Sequence, residues 1–105
     1  MPKCILQTKE CPNDEKTEEI CSIIMDAMNV YGTSDISLEN ISLVWVKLIY
    51  GKPWLTIHSR DKVSPIAKMG DYIKGQLGYH GYFPMNQNES HVEIRFDMTK
   101  EHNYI

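Results

Sequence analysis

Two hydrophobic periods alternate along the chain, one of strands and one of helices. CILQT (4–8) is a short apolar run that Pro12, Asn13 and Asp14 interrupt, and Asn13 or Asp14 suits the cap of a following helix. From Glu15 to Tyr31 the apolar positions Ile20, Ile24, Ala27, Met28 and Tyr31 recur at helical spacing, and Gly32 is a natural stop. ISLVWVKLIY (41–50) is rich in β-branched and aromatic residues, which predicts a strand covered on both faces. GKP (51–53) turns the chain into WLTIHS (54–59), a third strand. Ser64 and Pro65 then open a second helix as N-cap and first helical residue, with Ile66, Met69, Ile73 and Leu77 as its apolar stripe. A loop rich in Gly, Tyr, Pro and Asn fills 78–90, and HVEIRFDM (91–98) alternates as a fourth strand.

The predicted order is therefore β-α-β-β-α-β, and its halves overlay. Adding 51 lays MPKCILQTKE (1–10) on KPWLTIHSRD (52–61), so that Pro2 meets Pro53, Thr8 meets Ser59, Lys9 meets Arg60 and Glu10 meets Asp61. The same shift puts Ile41 on Val92 and Leu43 on Ile94, while the helices need a shift nearer 49. A length of 105 residues fits one domain, 1–105, made of two βαβ repeats at about 2–50 and 52–98. Two α+β architectures share this order: a ferredoxin-like domain and the pseudo-symmetric tautomerase fold.

Charge and composition narrow the function. Acidic residues outnumber basic ones 14 to 11, no basic run stands out, and no strand carries an RNP-type aromatic motif, so nucleic acid is not an expected partner. No apolar stretch reaches membrane-spanning length, and acidic Glu10 follows too short an apolar run for a signal peptide. Cys4, Cys11 and Cys21 are odd in number and widely spaced, which fits reduced thiols in the cytoplasm, and they lack the close pairs of a zinc site. Cys4 and Cys21 read as small core residues. His80, His91 and His102 show no catalytic or metal spacing.

Pro2 raises the sharpest chemical question. Lacking an N–H, proline suits the first position of a strand. Yet a small second residue favours removal of the initiator Met, which would leave a free secondary amine. Apolar surroundings destabilise its charged form and lower its pKa, making it a candidate general base near neutral pH.

The second half resembles a known family. PWLTIHSRDKV (53–63) is similar to the proline, short strand and histidine-serine segment of macrophage migration inhibitory factor homologues. Ile94-Arg95-Phe96 resembles the last main strand of D-dopachrome tautomerase, and SLENISLVWV (37–46) resembles the helix-to-strand passage found across the tautomerase superfamily. The MP start is that superfamily's hallmark. The resemblance implies a homotrimer of βαββαβ subunits that tautomerises a small keto acid with Pro2 as base and no cofactor. It departs from the family where Thr33 follows Gly32 in place of a lysine, where Arg60-Asp61 replaces isoleucine-glycine, and where Glu93 and Arg95 replace a tyrosine and an asparagine. The strand WLTI also lacks the family's redox cysteine pair.

Lys3, Arg60 and Arg95 are the candidate anchors for a carboxylate, which suits arginine's planar fork. Glu93 is a candidate to orient Arg95 or relay a proton, against the plainer reading of an exposed strand carboxylate. His58 reads as a hydrogen-bonded structural residue. Three functions follow as alternatives. The first is keto–enol tautomerisation of a phenylpyruvate-like keto acid. The second is a catalytically silent, cytokine-like protein-binding factor, cytoplasmic or secreted without a leader. The third is an unrelated ferredoxin-like binding module.

Overall fold

The computed structural model describes residues 2–32, 36–59, 66–96 and 101–104, with backbone alone at Ile66, Gln87, Phe96 and 101–104. Strand β1 (Lys3–Thr8) leads into helix α1 (Asp14–Tyr31), strand β2 (Ser42–Lys47), strand β3 (Trp54–Ser59), helix α2 (Ile66–Tyr79), strand β4 (His91–Phe96) and a short strand β5 (Glu101–Tyr104). Single turns of 3-10 helix, Leu38–Asn40 and Gln87–Glu89, precede β2 and β4. Asn13 is the cap of α1: its carbonyl side chain accepts the backbone N–H of Lys16 at 2.8 Å, and its backbone carbonyl accepts from Thr17 at 2.8 Å. This satisfies donors that a helix start leaves unpaired. Ser64 and Pro65 lie outside the described residues.

The strands form one sheet in the order β2-β1-β3-β4-β5. β1 pairs in parallel with β2, β3 in parallel with β4, and β1 runs antiparallel to β3 at the centre. Each βαβ unit is thus unsplit, with its two strands side by side. A ferredoxin-like domain inserts another strand within each unit, so the pairing excludes that alternative. Ile5 stands opposite Thr56, its own counterpart in the overlay, and an approximate two-fold axis passes through this pair.

The register also corrects the overlay. Lys3 pairs with Ser42 while Trp54 pairs with His91, so the second strand of each half follows a shift of 49 from Ser42 to His91, as the helices do. Leu43 therefore corresponds to Val92. Because the two shifts, 51 and 49, differ by an even number, every side chain keeps its face.

Both helices cover one face of the sheet. Cys4 and Leu6, Leu55 and Ile57, and Val92 and Ile94 point to it and join Ile20, Ile24, Ala27, Met69, Ile73 and Leu77 in the core. At about 25 cal/mol per Å2 of apolar surface, this burial is the main favourable term in folding. Cys4 and Cys21 are buried, and burial holds the Cys4 thiol at about 12, which makes it inert at neutral pH. The opposite face is open. β2, expected to be covered on both sides, lies at the sheet edge with Val44 56% and Val46 44% exposed. Among the described residues no helix is long and apolar enough to cross a membrane.

Candidate functional site

Pro2 precedes β1 and is buried. Its carbonyl accepts the backbone N–H of Ser42, the first residue of β2, at 3.1 Å. From there the register lays one row across the open face: Ser42 beside Lys3, Lys3 opposite His58, and His58 beside Arg95. With strands about 4.8 Å apart, the Lys3 and Arg95 backbones stand about 10 Å from each other with His58 between them. Lys3 is exposed and Arg95 is half-buried. Lys3, Arg95 and the histidine between them are thus gathered near Pro2, whereas Arg60 lies outside the described residues.

Glu93 is not the exposed strand carboxylate of the plainer sequence reading. It is 2% exposed, and its Oε1 forms an ion pair with Arg95 Nε at 2.9 Å. Thr56 donates its hydroxyl to the same oxygen at 3.5 Å. A buried carboxylate is tolerated only when paired in this way, and the pair fixes the direction of the guanidinium. Arg95 is the half-exposed partner of this pair and Glu93 the buried one.

A second place is shaped for a ligand, and it lies at the opposite end of β1. Six residues of strand at about 3.3 Å each put it about 20 Å from Pro2. Here the β1–α1 loop, the β2–β3 turn and the segment after α2 enclose a cleft of about 490 Å3. Leu6 and Ile20, both buried core residues, lie beneath it, and half-buried Leu48 and Pro53 supply apolar lining. Thr8 steadies one wall: its hydroxyl donates to the Glu10 carbonyl at 2.8 Å and accepts from Trp45 Nε1 at 3.0 Å. Tyr82 lines another wall. Burial, the hydrogen bond to Glu19 and that residue's charge raise the Tyr82 pKa, and Glu19 also meets His80 Nδ1 at 3.0 Å. The sequence pattern places Tyr82 only within the 78–90 loop and gives the cleft no role. The signal was present in the overlay of Lys9 on Arg60 and Glu10 on Asp61.

No group of His, Cys, Asp and Glu suited to a metal ion occurs among the described residues. No family model matches the chain. The fold is that of a tautomerase-like subunit. It is similar to the solved structure described as "F6 fused 4-OT wild type asymmetric trimer", with a TM-score of 0.65 at 8% identity, over 90% of this chain and 85% of that one. In sequence, the chain is 30% identical over 80 residues to the oligopeptide transport ATP-binding protein OppD of Lactococcus lactis subsp. cremoris, and equally so to that of L. lactis subsp. lactis. The match takes in 76% of this chain but spans only 22% of the transport proteins.

Proposed function

We propose that the chain is a tautomerase-like enzyme that interconverts the keto and enol forms of a small keto acid. The observation that carries this reading is the placement of Pro2: a buried proline at the head of a central strand, next to a row holding Lys3, His58 and Arg95. With Met1 removed, the Pro2 nitrogen is a secondary amine. Its buried position strips water from the charged form, and the nearby cations oppose protonation, so both effects lower its pKa. The neutral amine takes the proton from the carbon next to the ketone. Electron density moves to the ketone oxygen, and a guanidinium or ammonium steadies the developing enolate. The proton then passes from Pro2 to that oxygen, giving the enol and restoring the free amine. Lys3, Arg95 and, outside the described residues, Arg60 hold the carboxylate, while Glu93 positions Arg95. No redox partner or cofactor enters this balance.

The subunit is proposed to work as a homotrimer. The similar solved structure is a trimer, and the open sheet face exposes Ile5, Val44 and Val46. A closer kinship with the macrophage migration inhibitory factor branch rests on the sequence motifs. The alternative of a silent, protein-binding member is favoured by one observation. Ile49 and Tyr50, in the segment leading from β2 to β3, are 83% and 92% exposed. The transport relatives' name raises nucleotide binding, but the chain has no G-x-x-x-x-G-K-[ST] segment to cradle phosphates.

The test is phenylpyruvate tautomerisation followed by ultraviolet absorbance, with a panel of other enolisable acids. Arg95→Ala should raise KM more than it lowers kcat if Arg95 holds the carboxylate. A rate no faster than buffer across the panel, with Met1 shown to be removed, would select the silent member.

A further inference from the structure

The internal symmetry relates the 490 Å3 cleft to the Pro2 end. Pro53, at its edge, is the counterpart of Pro2, and the two prolines make the same contact. The Pro2 carbonyl accepts from Ser42 at 3.1 Å and the Pro53 carbonyl from His91 at 2.9 Å, each partner being the first residue of the parallel neighbour strand. Lys9 and Glu10 at the cleft correspond to Arg60 and Asp61, and Gly81 corresponds to Gly32 at the helix shift of 49. The cleft is the second-half twin of the place where the first half begins.

Its chemistry differs at one atom. Lys52 precedes Pro53, so the Pro53 nitrogen is a tertiary amide without a basic lone pair. The twin can bind but cannot abstract a proton through that nitrogen. What it binds follows from its lining. Half-buried Leu48, Pro53 and Tyr82 give it apolar walls, while Lys9, Lys16 and Lys52 stand with Glu10 and Glu89 in its lining, a cationic balance on a chain of net charge −3. Lys52 is held at the rim by donating to the Asn88 carbonyl at 2.8 Å. Gly51 and Gly81 have φ of 95° and 82°, a region other residues occupy only with strain, so the two turns bend sharply there without side chains. A volume of about 490 Å3 lies in the range of small-molecule sites, roughly 300–1,000 Å3.

We propose that this cleft is a second, non-catalytic site that binds a small aromatic or apolar carboxylate, with the ring against Leu48, Pro53 and Tyr82 and the carboxylate among the three lysines. The site needs nothing from Pro2 and stands whether or not Pro2 is a base.

The experiment titrates the full chain with 2-naphthoate, and in parallel with its neutral amide, by 1H–15N NMR. Saturable shifts are expected at Thr8, Cys11, Gly51 and Gly81, with the amide binding at least about fivefold more weakly. The exposed double substitution Lys9→Glu, Lys16→Glu should weaken 2-naphthoate by about fivefold or more while leaving the amide unchanged. Protein that retains Met1 should bind equally well. Equal affinity for acid and amide, no saturation, or shifts confined to Lys3, Ser42 and His58 would overturn the proposal. So would loss of binding in the form that retains Met1, because that would move the site to the Pro2 end.

Discussion

Pro2 and Pro53 hold equivalent places in the two halves, and what precedes each one separates them. Both stand at the edge of a central strand with the carbonyl tied to the neighbouring parallel strand. Pro53 is fixed in mid-chain by Lys52, whereas Pro2 has one residue before it in the sequence. On the proposed function, residue type and fold alone do not make a proline a base; the covalent state of its nitrogen does. The open face differs between the halves in the same instructive way. At the helix shift of 49, Glu93 and Arg95 on β4 correspond to Val44 and Val46 on β2. The first pair is ionic, with Glu93 buried and Arg95 half-buried, and the second is apolar and exposed. One half is polar at these positions and the other is apolar and exposed.

The largest expected effects test whether the halves are equivalent beneath that face. Ile24 of α1 and Ile73 of α2 correspond and are both 0% exposed. Ile24→Ala and Ile73→Ala should each cost about 2–5 kcal/mol in urea unfolding. One near-neutral substitution of the two would break the comparison. Next comes the ionic pair that only the second half has. Arg95→Ala leaves Glu93 buried without its guanidinium and should cost about 3 kcal/mol. Val46→Ala should change the stability of the subunit by less than about 0.5 kcal/mol. A cost at Arg95 as small as at Val46 would mean the pair does not hold the second half together.

Much of this arrangement is legible in the sequence because the signals were local. Period and turn residues place β1, α1, β3 and the core stripes, and the repeat predicts the parallel pairs. The misses have physical causes. Val44 and Val46 are apolar on a face that the chain itself does not cover, so β2 reads as buried when it is an edge. Glu101-His102-Asn103-Tyr104 has no apolar alternation, and β5 forms by pairing antiparallel with β4, a context no local pattern reveals. The plainer reading of Glu93 as exposed fails because its burial depends on Thr56 of β3, which no linear pattern brings beside β4. The cleft was invisible for a similar reason: its lysines come from three separated segments that only the fold assembles.

Two smaller effects sharpen the contrast at the cleft end. Asn13→Ala removes the α1 cap and should cost about 1 kcal/mol, read as a lower Tm. Asn13→Asp should largely preserve it. The smallest effect is a pH dependence found in one half only. His91, the counterpart of Ser42, packs against Trp54 with tilted rings whose centroids are 4.7 Å apart, and burial, Lys52 and Lys74 lower its pKa. The fold therefore favours the neutral ring. Its contribution is complete above the ordinary value of 6.5 and is lost as pH falls through the lowered one. Unfolding measured from pH 7.5 to 5 should show a loss of stability that His91→Gln reduces. An identical slope in wild type and variant would remove His91 from the account.

The central claim is that Pro2, and not its twin, is the base. The measurement is the initial rate of phenylpyruvate tautomerisation for three proteins whose N-termini are defined by mass spectrometry: the form lacking Met1, the form retaining it, and Pro53→Gly lacking Met1. Removal of Met1 should raise the rate by about two or more orders of magnitude, the size expected of a general base, and Pro53→Gly should stay within about twofold of the first form. Equal rates with and without Met1, or a collapse of activity in Pro53→Gly, would contradict it.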